Sequence, residues 1–195
     1  MSNFDIMITR FDANPEFGQM VPEERKALYD LTIKNKCTKI LEVGTWKGVG
    51  STYILASAAK ANGGHLYSIE NDKANHDIAE DIYNTDLSFL KVYVCLILGD
   101  STEKIKEISK EIQFDMVFLD GAEDGERTFN DFNLVKNDIK IVACHDWFTK
   151  KTEKIRPYLE SSKDYEQISL IETSPTGFSA FKRVKRVKNE NDITR

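Results

Sequence analysis

Three side chains in the second half of the chain are of the types that activate a hydroxyl group. Asp120 follows the apolar run 114–119, and His145 and Asp146 follow the apolar run 139–144. Carboxylate oxygens and an imidazole nitrogen can hold a divalent metal ion, and histidine can also act as a general base. These three residues are therefore candidate catalytic residues and candidate metal ligands. The alternative is structural, with the histidine bonded to a backbone carbonyl and the aspartate capping a helix.

A glycine-bearing turn at 41–52 indicates a second site. Gly44, Gly48 and Gly50 let the backbone turn sharply and approach a ligand closely, and the predicted helix after them directs free N–H groups into the same space. Glu42 precedes the turn, where a carboxylate repels the pyrophosphate of a dinucleotide and attracts a positively charged ligand. The turn therefore favours a cationic, nucleotide-like cofactor without phosphate over NAD.

Acidic residues also follow the next two predicted strands. Glu70 comes directly after the run 65–69 and can accept hydrogen bonds from both hydroxyls of a ribose. Asp100 lies in Gly99-Asp100-Ser101 and can accept a hydrogen bond from the exocyclic amine of a purine. Helix capping is the alternative for Glu70, Asp100 and Ser101.

The elements that position these residues alternate along the chain, which predicts parallel strands with helices on both faces. The last two strands are joined by 173–177, which is too short for a helix and predicts an antiparallel hairpin. The predicted fold is α/β, a Rossmann-like three-layer sandwich with a seven-stranded, mostly parallel sheet that ends in an antiparallel β-hairpin. Ligands of such sheets bind beyond the carboxyl ends of the strands, so the candidate residues should share one crevice. The predicted strands are 39–43, 65–69, 92–98, 114–119, 139–144, 165–172 and 178–184, and the predicted helices are 22–35, 50–60, 73–83, 102–110, 128–135 and 150–159.

Length and composition narrow the class of protein. A chain of 195 residues, 41% hydrophobic, predicts one domain over 1–188, with 1–20 as a lid or oligomer arm and 189–195 as a polar tail. The net charge of −5 argues against nucleic acid as a partner. The absence of a long apolar run argues against a membrane span or a secretory signal. Cys37, Cys95 and Cys144 lie in apolar runs, which predicts buried thiols and a cytoplasmic location.

Together these motifs resemble the class I S-adenosylmethionine-dependent methyltransferases, over roughly residues 21–185. The segment 41–52 resembles the small-molecule O-methyltransferases, including the catechol and caffeoyl-CoA groups. The segment 114–121 and the pair His145-Asp146 resemble the macrocin O-methyltransferase-like branch. The resemblance implies that the glycine turn surrounds the methionine part of S-adenosylmethionine (SAM) and that Glu42 meets its ammonium, directly or through water. The implied cofactor-binding residues are Glu42, Gly44, Thr45, Gly48, Ser51, Glu70, Asp100, Ser101 and Asp120.

The resemblance also raises the question of a metal ion. In the metal-dependent relatives, carboxylates at the ends of the fourth and fifth strands hold a Mg²⁺-like ion, which lowers the pKa of the acceptor hydroxyl. Asp120 matches this pattern, whereas His145 stands where those relatives have an oxygen ligand, and a nitrogen ligand suits Mn²⁺, Fe²⁺ or Zn²⁺ better than Mg²⁺. His145 and Asp146 can reach one ion only if His145 already lies in the loop, because neighbouring strand residues point to opposite faces.

This chain also differs from its apparent relatives in the base that would accept the hydroxyl proton. The catechol-type enzymes have a lysine a few residues past the first aspartate, where this chain has Glu123 and Asp124. The base is then Glu123, Asp124 or His145, or the metal suffices.

The sequence therefore predicts a SAM-dependent methyltransferase that acts on a hydroxyl of a small molecule, with a divalent metal (Mg²⁺ or Mn²⁺) left open. One alternative is a metal-independent methyltransferase of another acceptor, such as nitrogen, with His145 as the base. The other is a SAM-binding protein without catalytic activity. Neither a nucleic acid nor a membrane is expected as a partner, and the arm at 1–20 leaves a homo-oligomer open.

Overall fold

Seven strands form one sheet in the order β3-β2-β1-β4-β5-β7-β6 in a computed structural model that describes residues 20–173 and 176–184. The strands are β1 Lys39–Val43, β2 His65–Glu70, β3 Val94–Leu98, β4 Met116–Leu119, β5 Ile141–His145, β6 Tyr165–Ile171 and β7 Phe178–Arg183. The α-helices of the described residues are α1 Pro22–Lys34, α2 Ser51–Asn62, α3 Lys73–Asn84, α4 Ser101–Ile108, α5 Gly125–Val135 and α6 Ile155–Ser161.

The sheet is parallel from β3 through β5 and antiparallel at β7 and β6. β1 pairs with both β2 and β4 in parallel, and β7 pairs antiparallel with both β5 and β6. The strand order reverses between β1 and β4, so a crevice forms beyond their carboxyl ends, where ligands of open sheets bind. The seven-stranded, mostly parallel sheet with a terminal hairpin is confirmed.

Two hydrophobic clusters cover the two faces of the sheet. Ile40 packs with the α1 and α2 side chains Leu28 and Leu55, whereas its neighbour Leu41 packs in the other cluster with Phe132 of α5. Consecutive strand residues point to opposite faces, so each face needs its own layer of helices. The three-layer sandwich is therefore confirmed as well.

Most element boundaries differ from the prediction by one or two residues, and a few differences are larger or change the type of element. Residues Lys91–Tyr93 form a 3₁₀ turn before β3, and α5 begins at Gly125 rather than at 128 because Asp124 caps it, accepting from Glu126 N at 3.0 Å. The helix predicted over 150–159 divides into a 3₁₀ turn, Lys150–Thr152, and α6.

Three sequence predictions concern the chain ends and the cysteines. The arm at 1–20, apart from Met20, and the tail at 189–195 lie outside the described residues. Cys37 and Cys144 are buried as predicted, but the prediction is wrong for Cys95, which is exposed because β3 is an edge strand. Among the described helices, none combines the length and apolar character needed to cross a bilayer.

Candidate active site

A cavity of about 560 Å³ opens at the carboxyl ends of β1, β2 and β4. Its volume is in the range of sites for small ligands. The glycine turn and Glu70 line one side, and Asp120 lines the other. Met20, which precedes α1, is buried and also contributes to the wall. For these residues, the structure agrees with the prediction that the strand ends meet at one crevice.

The glycine turn is pressed against the end of β4. Gly44 has φ of 101° and donates its N–H to Ile69 O at 2.9 Å, which ties the turn to β2. A Cβ atom at Gly44 would lie 2.7 Å from Asp120 O and 2.8 Å from Gly121 Cα. Only glycine satisfies both the backbone angle and this close approach.

Glu70 lies on the cavity wall with both carboxylate oxygens held in place. Its Oε2 accepts from Trp46 N at 2.7 Å, and its Oε1 accepts from Asp72 N at 2.9 Å. Asp72, rather than Glu70, caps α3 by accepting from Asn75 N at 2.9 Å. Since each carboxylate oxygen has a further lone pair, Glu70 is oriented to accept from a ligand in the cavity.

Glu42 is fully buried, next to the glycine turn, and does not line the cavity. Its Oε2 accepts from Ser68 Oγ at 2.6 Å, and the Ser68 hydroxyl in turn contacts the hydroxyl of Thr45, which does line the cavity. Its Oε1 has no hydrogen-bond partner among the described residues. Burial raises the pKa of Glu42 to about 7, and the nearby hydroxyls of Ser51 and Ser68 only partly oppose this. A cationic ligand above the turn would favour its charged form.

Asp100 contributes to local structure, whereas Ser101 lines the cavity. Asp100 caps α4, accepting from Glu103 N at 3.2 Å, and also pairs with Arg127. Ser101 lines the cavity and donates its hydroxyl to Asp131 Oδ2 at 2.6 Å. The capping alternative is thus confirmed for Asp100, and its contact with a purine stays a prediction.

Asp120, His145 and Asp146 come together at the ends of β4 and β5. One potential ligand atom from each lies within 4.8 Å of the others. We expected His145 and Asp146 to approach one point only if His145 lay in the loop. His145 is instead the last residue of β5. Asp146 has φ of 54°, a left-handed conformation that turns its carboxylate back to the side of His145.

Lys151 joins this cluster, although no sequence motif indicated it. Its side chain is 3% exposed, and Nζ lies 2.9 Å from Asp120 Oδ1 and 2.5 Å from Asp146 Oδ2. The 3₁₀ turn positions it, with Lys151 N donating to Thr149 Oγ1 at 3.2 Å. No local feature separates Lys151 from the exposed Lys150 beside it, so only the tertiary structure distinguishes the two lysines.

Glu24 is a second residue that sequence reasoning did not connect to the site. It lies in the first turn of α1, is fully buried, and its Oε2 lies 3.2 Å from His145 Nε2. The other ring nitrogen, Nδ1, lies 3.2 Å from Asp120 Oδ1 and 3.3 Å from Asp146 Oδ1. Both ring nitrogens therefore face carboxylates, an arrangement that suits an imidazolium donating on both sides.

The charges in this cluster shift one another's pKa values. Burial would lower the pKa of His145, but the hydrogen bonds to Asp120 and Glu24 outweigh it and raise the pKa to about 10. Burial likewise opposes the charge of Lys151, yet Asp120 and Asp146 raise its pKa above the usual value. Burial would raise the pKa of Asp146, but Lys151 and His145 hold it below the usual value. The stable state at neutral pH is a set of opposite charges.

In the structure, Lys151 makes the contacts with Asp120 and Asp146 that a divalent ion would make. The oxygens of Asp120 and Asp146 accept from Lys151, while Nδ1 of His145 faces both aspartates and Nε2 faces Glu24. An ion would require Lys151 to leave, because its positive charge would stand within a few ångströms of the metal. The metal site stays a prediction.

Comparison with known proteins identifies a family for this chain. A family model described as a methyltransferase domain matches residues 41–147, from the glycine turn to the residue after Asp146. Comparison with curated protein sequences gave no match.

Solved structures share the fold at low sequence identity. A proposed caffeoyl-CoA O-methyltransferase from Staphylococcus aureus has a TM-score of 0.75 and 17% identity, covering 94% of this chain and 93% of its own. The O-methyltransferase TomG from Streptomyces achromogenes, involved in tomaymycin synthesis and in complex with SAM, has a TM-score of 0.73 and 18% identity, with 92% and 87% covered. An O-methyltransferase from Bacillus cereus, in complex with S-adenosylhomocysteine (SAH), has a TM-score of 0.65 and 17% identity, with 92% and 90% covered.

Proposed function

Since this chain belongs to the methyltransferase-domain family, we propose that it transfers a methyl group from SAM to a hydroxyl group of a small molecule. The observation that carries the proposal is that one cavity is lined both by the glycine turn with Glu70 and by Asp120 with Lys151. A donor and an acceptor bound there would have their reacting atoms side by side, which is the main requirement for a transfer between two substrates. The SAM and SAH complexes of TomG and of the Bacillus cereus enzyme support the choice of donor.

The donor side of the cavity suits the functional groups of SAM. The fixed carboxylate of Glu70 would accept from the ribose hydroxyls, with bonds strengthened by its charge. Gly44, Thr45 and Ser51 would enclose the methionine part, and Glu42 would offset its positive charge from beneath the turn. A sulfonium and an ammonium, with no phosphate, match this negatively charged surrounding.

The acceptor side suits activation of a hydroxyl. In the reaction, the acceptor oxygen forms a bond to the methyl carbon as the carbon–sulfur bond breaks, and the sulfonium becomes a neutral thioether. The hydroxyl proton passes to a carboxylate, for which Asp120 and Glu123 are the acidic residues of this side that line the cavity. His145 is disfavoured as the base, because with its pKa raised to about 10 it already carries a proton at neutral pH.

A small molecule is the proposed acceptor for reasons of size and charge. The cavity of about 560 Å³ must hold donor and acceptor together. The net charge of −5 disfavours a nucleic acid. The three cysteines are free thiols, which fits action in the reducing cytoplasm.

Calorimetric titration with SAH, followed by SAH formation from SAM over a panel of hydroxyl acceptors, tests the proposal. We expect Asp120→Ala to lower kcat by about a hundredfold or more, while SAH affinity changes less than about tenfold. Asp86→Ala is the matched control, because Asp86 is exposed and does not line the cavity.

The outcomes separate the alternatives. Absence of SAH binding by the wild-type protein would overturn the proposal. Binding without turnover over the whole panel would indicate a non-catalytic SAM-binding protein, and turnover only with amine acceptors would indicate the nitrogen alternative. Unchanged turnover in Asp120→Ala would remove Asp120 from the reaction.

A further inference from the structure

We propose that Lys151 is the resident cation of the acceptor site, taking the position in which a divalent ion would bridge Asp120 and Asp146, so that methyl transfer here proceeds without a metal. The inference rests on the proposed function and adds the mode of activation and the class of acceptor.

The contacts of Lys151 are those expected of a bridging ion. Its Nζ lies 2.9 Å from Asp120 Oδ1 and 2.5 Å from Asp146 Oδ2, so one positive centre joins the ends of β4 and β5. A third carboxylate, Glu123, lies 3.5 Å away at Oε1. With 3% of its side chain exposed, Lys151 belongs to the buried wall and not to the surface. The 3₁₀ turn and the Thr149 hydroxyl fix the backbone that carries it.

The charge balance of the cluster argues in the same direction. Lys151 already places one positive charge between Asp120 and Asp146. A divalent ion bound to the same two carboxylates would add two positive charges within a few ångströms of that ammonium. Repulsion between buried charges a few ångströms apart is strong enough to decide between the two cations.

His145 contacts carboxylates through both ring nitrogens. A histidine that binds a metal presents a nitrogen lone pair to it. Here Nε2 faces Glu24 at 3.2 Å, and Nδ1 faces Asp120 at 3.2 Å and Asp146 at 3.3 Å. His145 is therefore a positioning residue, which keeps the carboxylates of Asp120 and Asp146 aligned on the Lys151 ammonium.

Lys151 also lines the cavity, so its positive charge acts on an acceptor oxygen bound there. As the acceptor hydroxyl loses its proton to Asp120 or Glu123, negative charge develops on the oxygen, and a fixed ammonium stabilises that charge. A single positive charge lowers the pKa of a hydroxyl less than a bound metal ion does, so the acceptors should be hydroxyls that are acidic already, such as phenols and enols. A metal ion rewards two neighbouring oxygens that chelate it, whereas an ammonium needs only one. We therefore infer that a simple phenol serves as well as a catechol.

Binding of Mn²⁺ alone tests the inference without relying on turnover. We expect the chelator-treated wild-type protein to show no site for Mn²⁺ by electron paramagnetic resonance, and its Tm to be unaffected by the ion. Lys151→Met should gain affinity for Mn²⁺ by about a hundredfold or more, and Mn²⁺ should raise its Tm, because the ion replaces the missing charge. Lys150→Met is the matched control and should behave as the wild type, since Lys150 is exposed.

A wild-type Mn²⁺ site that disappears in Asp120→Asn would overturn the inference. This measurement decides the question even if Lys151→Met does not fold, because it uses the wild-type protein.

Activity provides the second test. Wild-type turnover should survive chelation unchanged, and Lys151→Met should lose about a hundredfold in kcat with SAH affinity retained. Lys151→Arg should restore part of the rate, because it keeps the charge. Loss of activity on chelation, restored by Mn²⁺, would contradict the inference while leaving the proposed function intact. Failure of SAH binding would instead count against the proposed function.

Discussion

The donor side and the acceptor side of the cavity hold their carboxylates in different ways. On the donor side, Glu70 accepts from two backbone N–H groups, and Glu42 accepts from the hydroxyl of Ser68. On the acceptor side, Asp120 and Asp146 are paired with the charged Lys151. Neutral donors orient a carboxylate without cancelling its charge, so the donor side keeps a net negative potential for a cationic ligand. The ion pairs of the acceptor side cancel part of the carboxylate charge and place an ammonium near a hydroxyl that becomes an anion.

The difference also has a consequence for stability. Removing one member of a buried ion pair leaves an uncompensated charge, which destabilises by about 3–5 kcal/mol. Removing a neutral hydrogen bond typically costs about 1 kcal/mol. Variants on the acceptor side should therefore combine losses of activity and stability. Variants on the donor side should show mainly losses of affinity.

Gly44 connects the two sides of the cavity, because the glycine turn of the donor side touches the end of β4, on the acceptor side, at this residue. We expect Gly44→Ala to lower the free energy of unfolding by about 3 kcal/mol, from its positive φ and the contact with Asp120 O. SAH affinity should fall by more than about tenfold, because the turn must move away from β4. Urea unfolding and calorimetry measure the two effects.

Gly63→Ala is the matched control for Gly44→Ala. Gly63 has φ of 69°, but a Cβ atom there meets nothing within 4 Å. Gly63→Ala should lower the free energy of unfolding only through the positive φ, by about 1–2 kcal/mol, with no change in SAH affinity. Equal losses in the two variants would show that the contact between the turn and β4 carries no weight.

The stability that Glu42 contributes on the donor side depends on pH. Its pKa is raised on folding from 4.5 to about 7, so the stability it contributes is present below pH 4.5 and is lost as pH rises to 7. This loss amounts to about 3 kcal/mol. Glu42→Gln removes it, so the variant should gain stability relative to the wild type over that interval, measured by urea unfolding at each pH.

The same variant tests the negative potential of the donor side. At pH 8 the wild type should bind SAH about tenfold more tightly than Glu42→Gln, because the carboxylate is then charged. Near pH 5.5 the two affinities should converge. Equal affinities at both pH values would mean that Glu42 only fills the space beneath the turn.

Asp100 is the case with the smallest expected effect, because its charge is shared with Arg127 at a half-exposed position. Asp100→Asn keeps the cap of α4, since asparagine caps helices as well as aspartate does. SAH affinity should fall by about threefold, because an amide oxygen accepts more weakly than a carboxylate. An unchanged affinity would reduce Asp100 to a cap and a partner of Arg127.

The two sides of the cavity also differ in how many of their residues could be predicted from sequence, because their contacts span different distances along the chain. Glu42, Glu70 and the glycines owe their positions to contacts with residues close by in sequence or on the neighbouring strand, so strand ends and turn residues indicated them. Asp120 and His145 were indicated as strand ends, but the contacts of His145 were not. Glu24 lies 121 residues from His145 in sequence, and Lys151 lies 31 residues from Asp120. Such contacts depend on how α1 and the 3₁₀ turn pack, which no local pattern records.

The order of strands and helices along the chain, the terminal hairpin and the crevice at the strand ends follow from local sequence patterns, because apolar runs and glycine turns act over a few residues. The pairing of charges at the acceptor side follows only from the packing of the whole chain. A lysine that looks like its exposed neighbour becomes buried between two carboxylates, and a left-handed Asp146 turns its side chain toward His145. Electrostatic energy depends on distance in space, and distance in space is fixed only when the whole chain has packed.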